Sequence, residues 1–526
     1  MKSSAVKSLL ASLLITVASF PALADDPATE PTKQDPAPAS TPPAPRKRPA
    51  QPNPANTPKP ADQPAQQPAS TPTPAPSPGK PAPSKPTPTK PTPAAPTPAP
   101  TPAPAAKPAK PAGPLPMVKK ELVEPGPYLE RSSPKDLIFK ARVQIGGVSW
   151  TELIADPNGG PAKQIPRKEE ISFDQAWIVY PLLKQTGTSR MPEDSWKGTF
   201  RIGDTRPNEE IQIMNGLHSG SRYAKMALGA GRAKTFTFEI EQRTTAYRVK
   251  YYDNEADQVA WPKGGWPAAA ASCFSPQMYV DYWPDDTTGM APATSASAVA
   301  AMVDGWLANA NLASPRDASP NQIAKFIAGQ VVRNFQVVNQ VFISNRTSAV
   351  EGANVIPLTE VVRSGRGSAF DICNVLVACY RHVGLPARLV VGYQKEGSGK
   401  TFLTAKGASA QIRPYVEWCL FNEDFEATKA SINWIPVDII NMRRSMPNPP
   451  GLDKPWRYFG SFDDTNECFP FAFHLHPPTS VRAYGSPGFW GWMLAPTQPL
   501  SAEQSLTFSV TSAPNIGGQP NRDSND

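Results

Sequence analysis

Histidine and cysteine are scarce in this chain of 526 residues, which contains four histidines and five cysteines. So few cysteines exclude a scaffold built on disulfides, and an odd number leaves one thiol unpaired within the chain. Their spacing matches no zinc motif, so we expect buried free thiols. The chain also lacks a Gly-rich phosphate loop and carboxylates at calcium spacing. We therefore expect no cofactor and no metal site.

Long apolar runs are missing beyond the N-terminus. A basic start, an apolar stretch over residues 9–20 and the small residues Ala22-Leu-Ala24 are typical of a secretory signal peptide. The apolar stretch is shorter than the roughly 20 residues that a membrane span needs. The sequence thus predicts a signal peptide at 1–24, cleaved between Ala24 and Asp25, and no transmembrane span. The mature protein is expected to be secreted or periplasmic.

The segment after the signal peptide has almost nothing that could form a core. Residues 26–116 contain 33 of the 66 prolines of the chain. Because proline has no backbone donor and apolar side chains are few here, the segment cannot pack into a fold. We predict a disordered linker over 25–116. Extended at about 3 Å per residue, it would reach on the order of 200 Å, enough for a stalk in the cell envelope.

Acidic residues are nearly absent from the same segment, and this explains the net charge of +8. Residues 40–116 carry nine Lys or Arg and a single acid, Asp62, which leaves a net charge of only +1 for residues 117–526. The basic character therefore belongs to the linker and excludes a folded nucleic-acid-binding face. Such a linker could contact anionic wall polymers or lipid headgroups, weakly and with a strong dependence on salt.

Two kinds of secondary structure follow the linker. Residues 117–290 contain runs that alternate apolar and polar side chains, such as 138–145 and 236–241, and this pattern predicts a β-sandwich. Helical patterns begin near Ser295. One helix is predicted to begin after Ser319 and another to run over 369–383, ended by Gly384.

Three motifs in the second region resemble those of the transglutaminase-like superfamily. They are the helix followed by Gly384-Leu-Pro-Ala-Arg388, the strand Arg413-Pro-Tyr-Val-Glu-Trp418, and Trp434-Ile-Pro-Val-Asp438. The resemblance implies an α+β, papain-like core at 295–480, in which a helix packs on an antiparallel sheet. The β-sandwich-like domain at 117–290 precedes this core, and residues 481–526 are expected to be a C-terminal extension with a disordered end.

The resemblance also implies a defective active site. Active members use a Cys–His–Asp triad with the cysteine at a helix N-terminus. Here the cysteine position, fifteen residues before Gly384, is Ala369; the histidine position is Arg413, and only Asp438 matches. Alanine has no nucleophile, and arginine stays protonated and cannot act as a base. We expect Arg413 and Asp438 to form an ion pair instead.

Other residues could carry chemistry, although each has a simpler structural interpretation. Cys373 lies one helical turn after Ala369, about 6 Å away, and is the alternative nucleophile; core packing is the simpler interpretation for it, as for Cys419. His474 and His476 could share a strand face as two metal ligands, but no further ligand follows at a diagnostic spacing. The remaining expectations are a capping or ion-pairing role for Asp371 and no role for His218.

Two functions follow from these observations. The first is a catalytically inactive transglutaminase-like protein that serves as a binding or scaffolding module in the envelope. Its partner would be a protein or peptide, or peptidoglycan itself. The alternative is a cysteine-dependent peptidase or amide acyltransferase with a displaced nucleophile such as Cys373.

Overall fold

The computed structural model describes residues 120–513, except for 148, 193–194, 208–209, 282, 284–294, 339, 345–349, 396–410, 476–487 and 496–501. The predicted signal peptide, the predicted linker and the last thirteen residues of the C-terminal extension lie outside this range.

The helices are α1 (Asp253–Ala256), α2 (Ala268–Ala271), α3 (Ser295–Asn309), α4 (Pro320–Asn334), α5 (Leu358–Ser364), α6 (Ala369–His382) and α7 (Ile439–Ser445), with 3₁₀ turns at Ser272–Phe274, Pro315–Asp317 and Thr465–Glu467. The strands are β1 (Glu121–Val123), β2 (Leu129–Gly147), β3 (Ser149–Ile154), β4 (Lys163–Lys168), β5 (Ile171–Phe173), β6 (Gln175–Leu183), β7 (Gln185–Thr186), β8 (Ser189–Arg190), β9 (Trp196–Ile202), β10 (Gln212–Asn215), β11 (Ser221–Leu228), β12 (Gly231–Ala233), β13 (Thr235–Tyr251), β14 (Gln336–Val337), β15 (Phe342–Ser344), β16 (Val350–Ala353), β17 (Arg366–Gly367), β18 (Ala387–Gln394), β19 (Ile412–Asn422), β20 (Lys429–Val437), β21 (Cys468–Ala472), β22 (Gly491–Ala495) and β23 (Ala502–Ser512).

Two antiparallel sheets form the predicted β-sandwich. One has the order β23-β2-β13-β8-β7, with β9 also paired to β13, and the other has the order β10-β11-β6-β22. Alternate side chains of β2 and β13 are buried, including Val143 and Phe238. Across the sandwich, the ring of Tyr180 on β6 lies 6.3 Å from that of Phe238. The alternation in the sequence therefore predicted this part of the fold correctly, because one face of each strand is buried in the sandwich.

The C-terminal segment supplies one strand to each sheet of the sandwich. β22 pairs with β6, and β23 pairs with β2 from Leu137 to Gly147. Leu506, Phe508 and Val510 of β23 point into the core and are almost completely buried. The segment predicted as an extension is thus part of the sandwich. The residue boundaries of the two predicted domains, 117–290 and 295–480, stay a prediction.

A five-stranded sheet with the order β1-β20-β19-β18-β21 forms the second region. Its pairs are antiparallel, except that β1 runs parallel to β20. Helix α6 packs against β18 and β19 through side chains such as Leu376 and Tyr380, which are fully buried. The helix begins after Ser368 and is followed by Gly384 in a left-handed conformation, with φ of 86°. These positions agree with the helix that the sequence predicts, and glycine is the residue that adopts this φ without strain.

The two regions share one continuous hydrophobic core. Phe139 of the sandwich stacks on Phe469 of the five-stranded sheet, with ring centroids 4.9 Å apart. The turn between β7 and β8 also reaches into the second region, where the amide of Gly187 donates to Oε1 of Glu417 at 2.7 Å. Because polar and apolar contacts both cross this boundary, the regions are expected to behave as one packed body.

In the described ranges, no helix combines the length and the apolar character that crossing a membrane requires.

Candidate functional site

A cleft of about 360 Å³ opens at the N-terminal end of α6. Its wall includes Ala369 from α6, Arg413 from β19 and Asp438 from the end of β20. These are the three residues that the motif comparison placed at triad positions, and they converge as the sequence predicts. The cleft is therefore the candidate functional site.

Ala369 is the first residue of α6 and is held in place by the cap of that helix. The Oγ of Ser368 accepts a hydrogen bond from the amide of Asp371 at 3.2 Å, and Oδ2 of Asp371 accepts one from the amide of Ser368 at 2.7 Å. Asp371 also accepts from the amide of Ile356 at 3.1 Å. Burial raises the pKa of Asp371 to about 6, although these hydrogen bonds oppose the rise. Asp371 thus has the capping role that was one of its two expected roles.

Arg413 lines the cleft and donates hydrogen bonds to three side chains. Its Nε donates to Oδ2 of Asp438 at 2.7 Å, and its Nη1 donates to Oε1 of Gln394 at 2.9 Å. Its Nη2 donates to Oδ1 of Asp464 at 3.1 Å. Burial alone would lower the pKa of Arg413, but the carboxylates of Asp438 and Asp464 raise it above the usual value for arginine. The predicted ion pair with Asp438 is confirmed, and Arg413 cannot act as a proton acceptor.

Asp438 is completely buried and has its acceptor positions filled. It is the N-cap of α7, where Oδ1 accepts from the amide of Asn441 at 2.9 Å. Oδ2 accepts from the side-chain amide of Asn441 at 2.8 Å, in addition to Arg413. The carboxylate therefore fixes the end of β20 and the start of α7 around the cleft.

A second buried ion pair lies deeper in the sheet, away from the cleft. Arg388 donates through Nε and Nη2 to Oε2 of Glu417, at 3.0 and 2.7 Å. The guanidinium lies between the rings of Trp434 and Phe473, 3.8 and 3.9 Å from their centroids. Burial raises the pKa of Glu417, and Arg388 opposes this rise. Both residues belong to the recognised motifs, but their burial assigns them to the structure of the core.

The cysteines are free and buried, as the sequence predicts. Cys373, the alternative nucleophile, is fully buried, and the part of the cleft wall that the structure describes does not include it. Burial raises the pKa of its thiol well above the usual value, and the charges of Asp438 and Asp371 add to the rise. Burial has the same effect on the pKa of Cys419. Neither thiol therefore has the properties of a thiolate nucleophile.

His218 and Cys273 form a buried contact that the sequence did not predict. Nδ1 of His218 lies 3.7 Å from Sγ of Cys273, and both side chains are almost completely buried. Burial, helped by Arg388 and Arg381, lowers the pKa of His218 to about 3, and burial raises that of Cys273 to about 11. Both groups are therefore neutral near pH 7. No sequence signal points to this contact, because it joins two loops that carry no motif.

The other histidines do not form a recognisable metal site. His474 contacts the hydroxyl of Tyr223, and its ring lies 5.8 Å from that of His218. His476, its predicted companion, lies outside the described residues. Nε2 of His382 is 2.9 Å from Oδ1 of Asp304 at the surface. Within the described part of the chain, no group of three or more His, Cys, Asp or Glu residues could hold a metal ion.

Comparison with known proteins identifies the second region. Residues 310–439 match the sequence model of the transglutaminase-like superfamily. Among solved structures, the chain is similar to a "putative cysteine protease" from Cytophaga hutchinsonii, with a TM-score of 0.40 and 9% sequence identity over 74% of this chain and 94% of that chain. It is also similar to the periplasmic domain of TgpA from Pseudomonas aeruginosa, with a TM-score of 0.23 and 12% identity over 60% of this chain and 91% of that chain. No curated protein matches the sequence. Residues 310–439 thus form a transglutaminase-like core within this chain.

Proposed function

We propose that this protein is a non-catalytic transglutaminase-like protein of the cell envelope and that it binds a peptide segment in its cleft. The observation that carries the proposal is the Arg413–Asp438 ion pair in the wall of the cleft, with Nε and Oδ2 at 2.7 Å. A permanently charged guanidinium stands where active relatives need a base that takes up and releases a proton.

The nucleophile is missing from the same cleft. Ala369 begins α6, where the helix N-terminus would favour a thiolate if a thiol were present. The loss of either the nucleophile or the base costs such a site several orders of magnitude in rate, because the members act as a unit. The alternative enzyme, with Cys373 as the nucleophile, would need that fully buried thiol to reach the cleft.

The lining of the cleft suits a polypeptide. Its volume falls in the usual range of ligand pockets, about 300–1,000 Å³. Side-chain amides line it beside apolar side chains: Gln340, Gln394, Gln411, Val341 and Ile412. Gln411 is only 1% exposed, and within the described residues its Oε1 has no hydrogen-bond partner. Side-chain amides of this kind can donate to and accept from the backbone groups of a bound peptide.

The rest of the chain supports a place in the envelope. The predicted signal peptide at 1–24 would export the protein, and the predicted linker at 25–116 would hold the folded part away from its point of attachment. In this arrangement the folded part acts as a binding or scaffolding module on a long arm. Its partner is a protein or the peptide part of peptidoglycan.

Restoring the two missing triad members tests the assignment of the site. The natural protein should react with iodoacetamide slowly at pH 7 and show no acyl transfer from a glutamine-containing peptide. Ala369→Cys should add one accessible thiol, and Ala369→Cys with Arg413→His should make that thiol react at least tenfold faster, because histidine then favours the thiolate.

Cys373→Ala is the matched control and should change none of these rates. A single hyper-reactive thiol in the natural protein, with a burst of acylation that Cys373→Ala removes, would establish the enzyme instead. If the double variant reacts no faster than Ala369→Cys alone, Ala369 and Arg413 are not the triad positions.

A further inference from the structure

Five arginines lie on segments that meet at the C-terminal end of α4, beside the cleft. They are Arg333, Arg363, Arg366, Arg443 and Arg444. Backbone contacts join the segments that carry them. The guanidinium of Arg443 donates to the carbonyl of Val332, and the amide of Gln336 donates to the carbonyl of Gly365 at 2.8 Å. Arg366 lies opposite Gln336 in the β14–β17 pair, and Arg444 lines the cleft itself.

These arginines differ from the others near the site because they lack carboxylate partners. Arg388 and Arg413 each contact a carboxylate at 2.7 Å. Among the residues that the structure describes, no carboxylate lies within 4.0 Å of the guanidinium nitrogens of the five. The three segments that carry them, 333–338, 358–366 and 439–446, contain one acidic residue, Glu360.

Burial removes water from the guanidinium groups of the half-buried arginines, and no described carboxylate pairs with them. Arg333 and Arg443 are partly covered by their neighbours, and this burial lowers the pKa of each. Arg363, Arg366 and Arg444 are exposed. Among the described residues, this edge therefore carries several arginines without an ion-paired carboxylate, and such an edge attracts an anionic partner.

Apolar side chains continue from this edge into the cleft. Val337 lines the cleft and is 37% exposed, and Val338 next to it is 51% exposed. A partner that follows this surface would meet the arginines, then exposed valines, and then the amide-lined interior. A polypeptide presents charged, apolar and amide groups in such an order, whereas a lipid surface or a phosphate polymer would use only the arginines.

We infer that the cleft and its arginine edge bind a peptide segment with acidic residues next to the stretch that enters the cleft. The inference rests on the proposed function, since it assumes that the cleft binds a peptide, and it adds the charge of that peptide. It also excludes the chain's own linker as the occupant, because residues 40–116 carry eight more bases than acids.

Three labelled peptides of one length test the inference by fluorescence anisotropy with the full-length protein. The same positions hold glutamate in the first, glutamine in the second and lysine in the third. The glutamate peptide should bind about tenfold more tightly than the glutamine peptide, because several surface ion pairs each contribute a small amount. This preference should shrink when the ionic strength rises from about 0.05 M to about 0.5 M.

Charge removal on the protein gives the matched comparison. Arg363→Gln, Arg366→Gln and Arg444→Gln together should abolish the preference for glutamate, so that the variant binds the glutamate and glutamine peptides equally. Arg190→Gln with Arg232→Gln, two exposed arginines of the sandwich, should retain the preference. Circular dichroism and thermal melting would establish that both variants are folded.

The negative results of these experiments differ in which proposal they contradict. If all three peptides bind equally, or if the triple variant keeps the preference, the acidic partner is wrong but peptide binding stands. If none binds, the proposed function falls as well. Tighter binding to vesicles of anionic phospholipid than to the glutamate peptide, lost in the triple variant, would assign the arginine edge to a membrane surface and overturn the inference.

Discussion

Arg413 has a structural role at the position that the motif comparison aligns with the catalytic histidine. Its guanidinium is bonded to Asp438, Gln394 and Asp464, and only a group with several donors in a planar fork could reach all three. The sequence predicted the contact with Asp438, because both residues occupy motif positions. Gln394 is the last residue of β18 and Asp464 precedes the 3₁₀ turn Thr465–Glu467. Neither position carries a sequence signal for the contact, so only the folded chain reveals it.

The burial of His218 predicts how the stability of the protein depends on pH. The pKa of His218 is about 3 in the folded protein, below the usual value of 6.5. Between these values the unfolded chain binds a proton that the native state does not, so stability should fall as the pH drops from about 6.5 towards 3. The slope from one such group is at most about 1.4 kcal/mol per pH unit. Asp371 acts in the opposite direction below about pH 6, because its pKa is raised.

Urea unfolding at a series of pH values, compared between the natural protein and His218→Gln, measures this contribution. The variant should have a flatter dependence of stability on pH between about 6.5 and 3. Parallel curves for the natural protein and His218→Gln would show that the native state protonates this histidine normally.

The turn between β7 and β8 depends on Gly187 for its close approach to β20. A side chain on Gly187 would place its Cβ 2.1 Å from the carbonyl oxygen of Trp434, so only glycine allows the turn to approach β20. Gly187→Ala should destabilise the protein by about 1–3 kcal/mol through overpacking. Gly229→Ala is the control, since no atom lies within 4 Å of a Cβ placed there. Equal unfolding midpoints in urea for both variants would contradict this role of the turn.

Elements with strong local signals could be predicted from the sequence, and those set by distant contacts could not. The end of helix α6 was predicted because Gly384 stops the helix, and its start at Ala369 was predicted from the motif resemblance. The sandwich strands were predicted by alternation over β2 and β13. The pairing of β23 with β2 could not be predicted, since it joins the two ends of the folded part and no local pattern encodes such a pairing.

At the scale of the whole molecule, the shared core predicts cooperative unfolding. Phe508 of β23 contacts both the sandwich and Tyr393 of the five-stranded sheet, where the ring centroids are 5.6 Å apart. Phe508→Ala should cost about 3–5 kcal/mol, a large part of a typical stability of about 5–15 kcal/mol. It should lower the unfolding midpoint of the core as much as that of the sandwich.

Two probes separate a cooperative transition from independent ones. Circular dichroism follows all the strands, and labelling of the five buried thiols, none of which lies in a sandwich strand, follows the opening of the second region. Both should give the same lower midpoint in urea for Phe508→Ala. Thr507→Ala, on the other face of the strand, should change the midpoint little. Thiol labelling that keeps its original midpoint in Phe508→Ala would mean that the two regions unfold separately.

The place of β23 beside β2 has a consequence for biosynthesis. A chain leaves the ribosome from its N-terminus, so β2 and β13 emerge well before residues 502–512. Until then, the edge of β2 from Leu137 to Gly147 has unpaired backbone groups, and such an edge readily pairs with a strand of another chain. The nascent protein therefore carries an aggregation-prone edge while residues 148–501 are synthesised, and β23 is the strand that closes it.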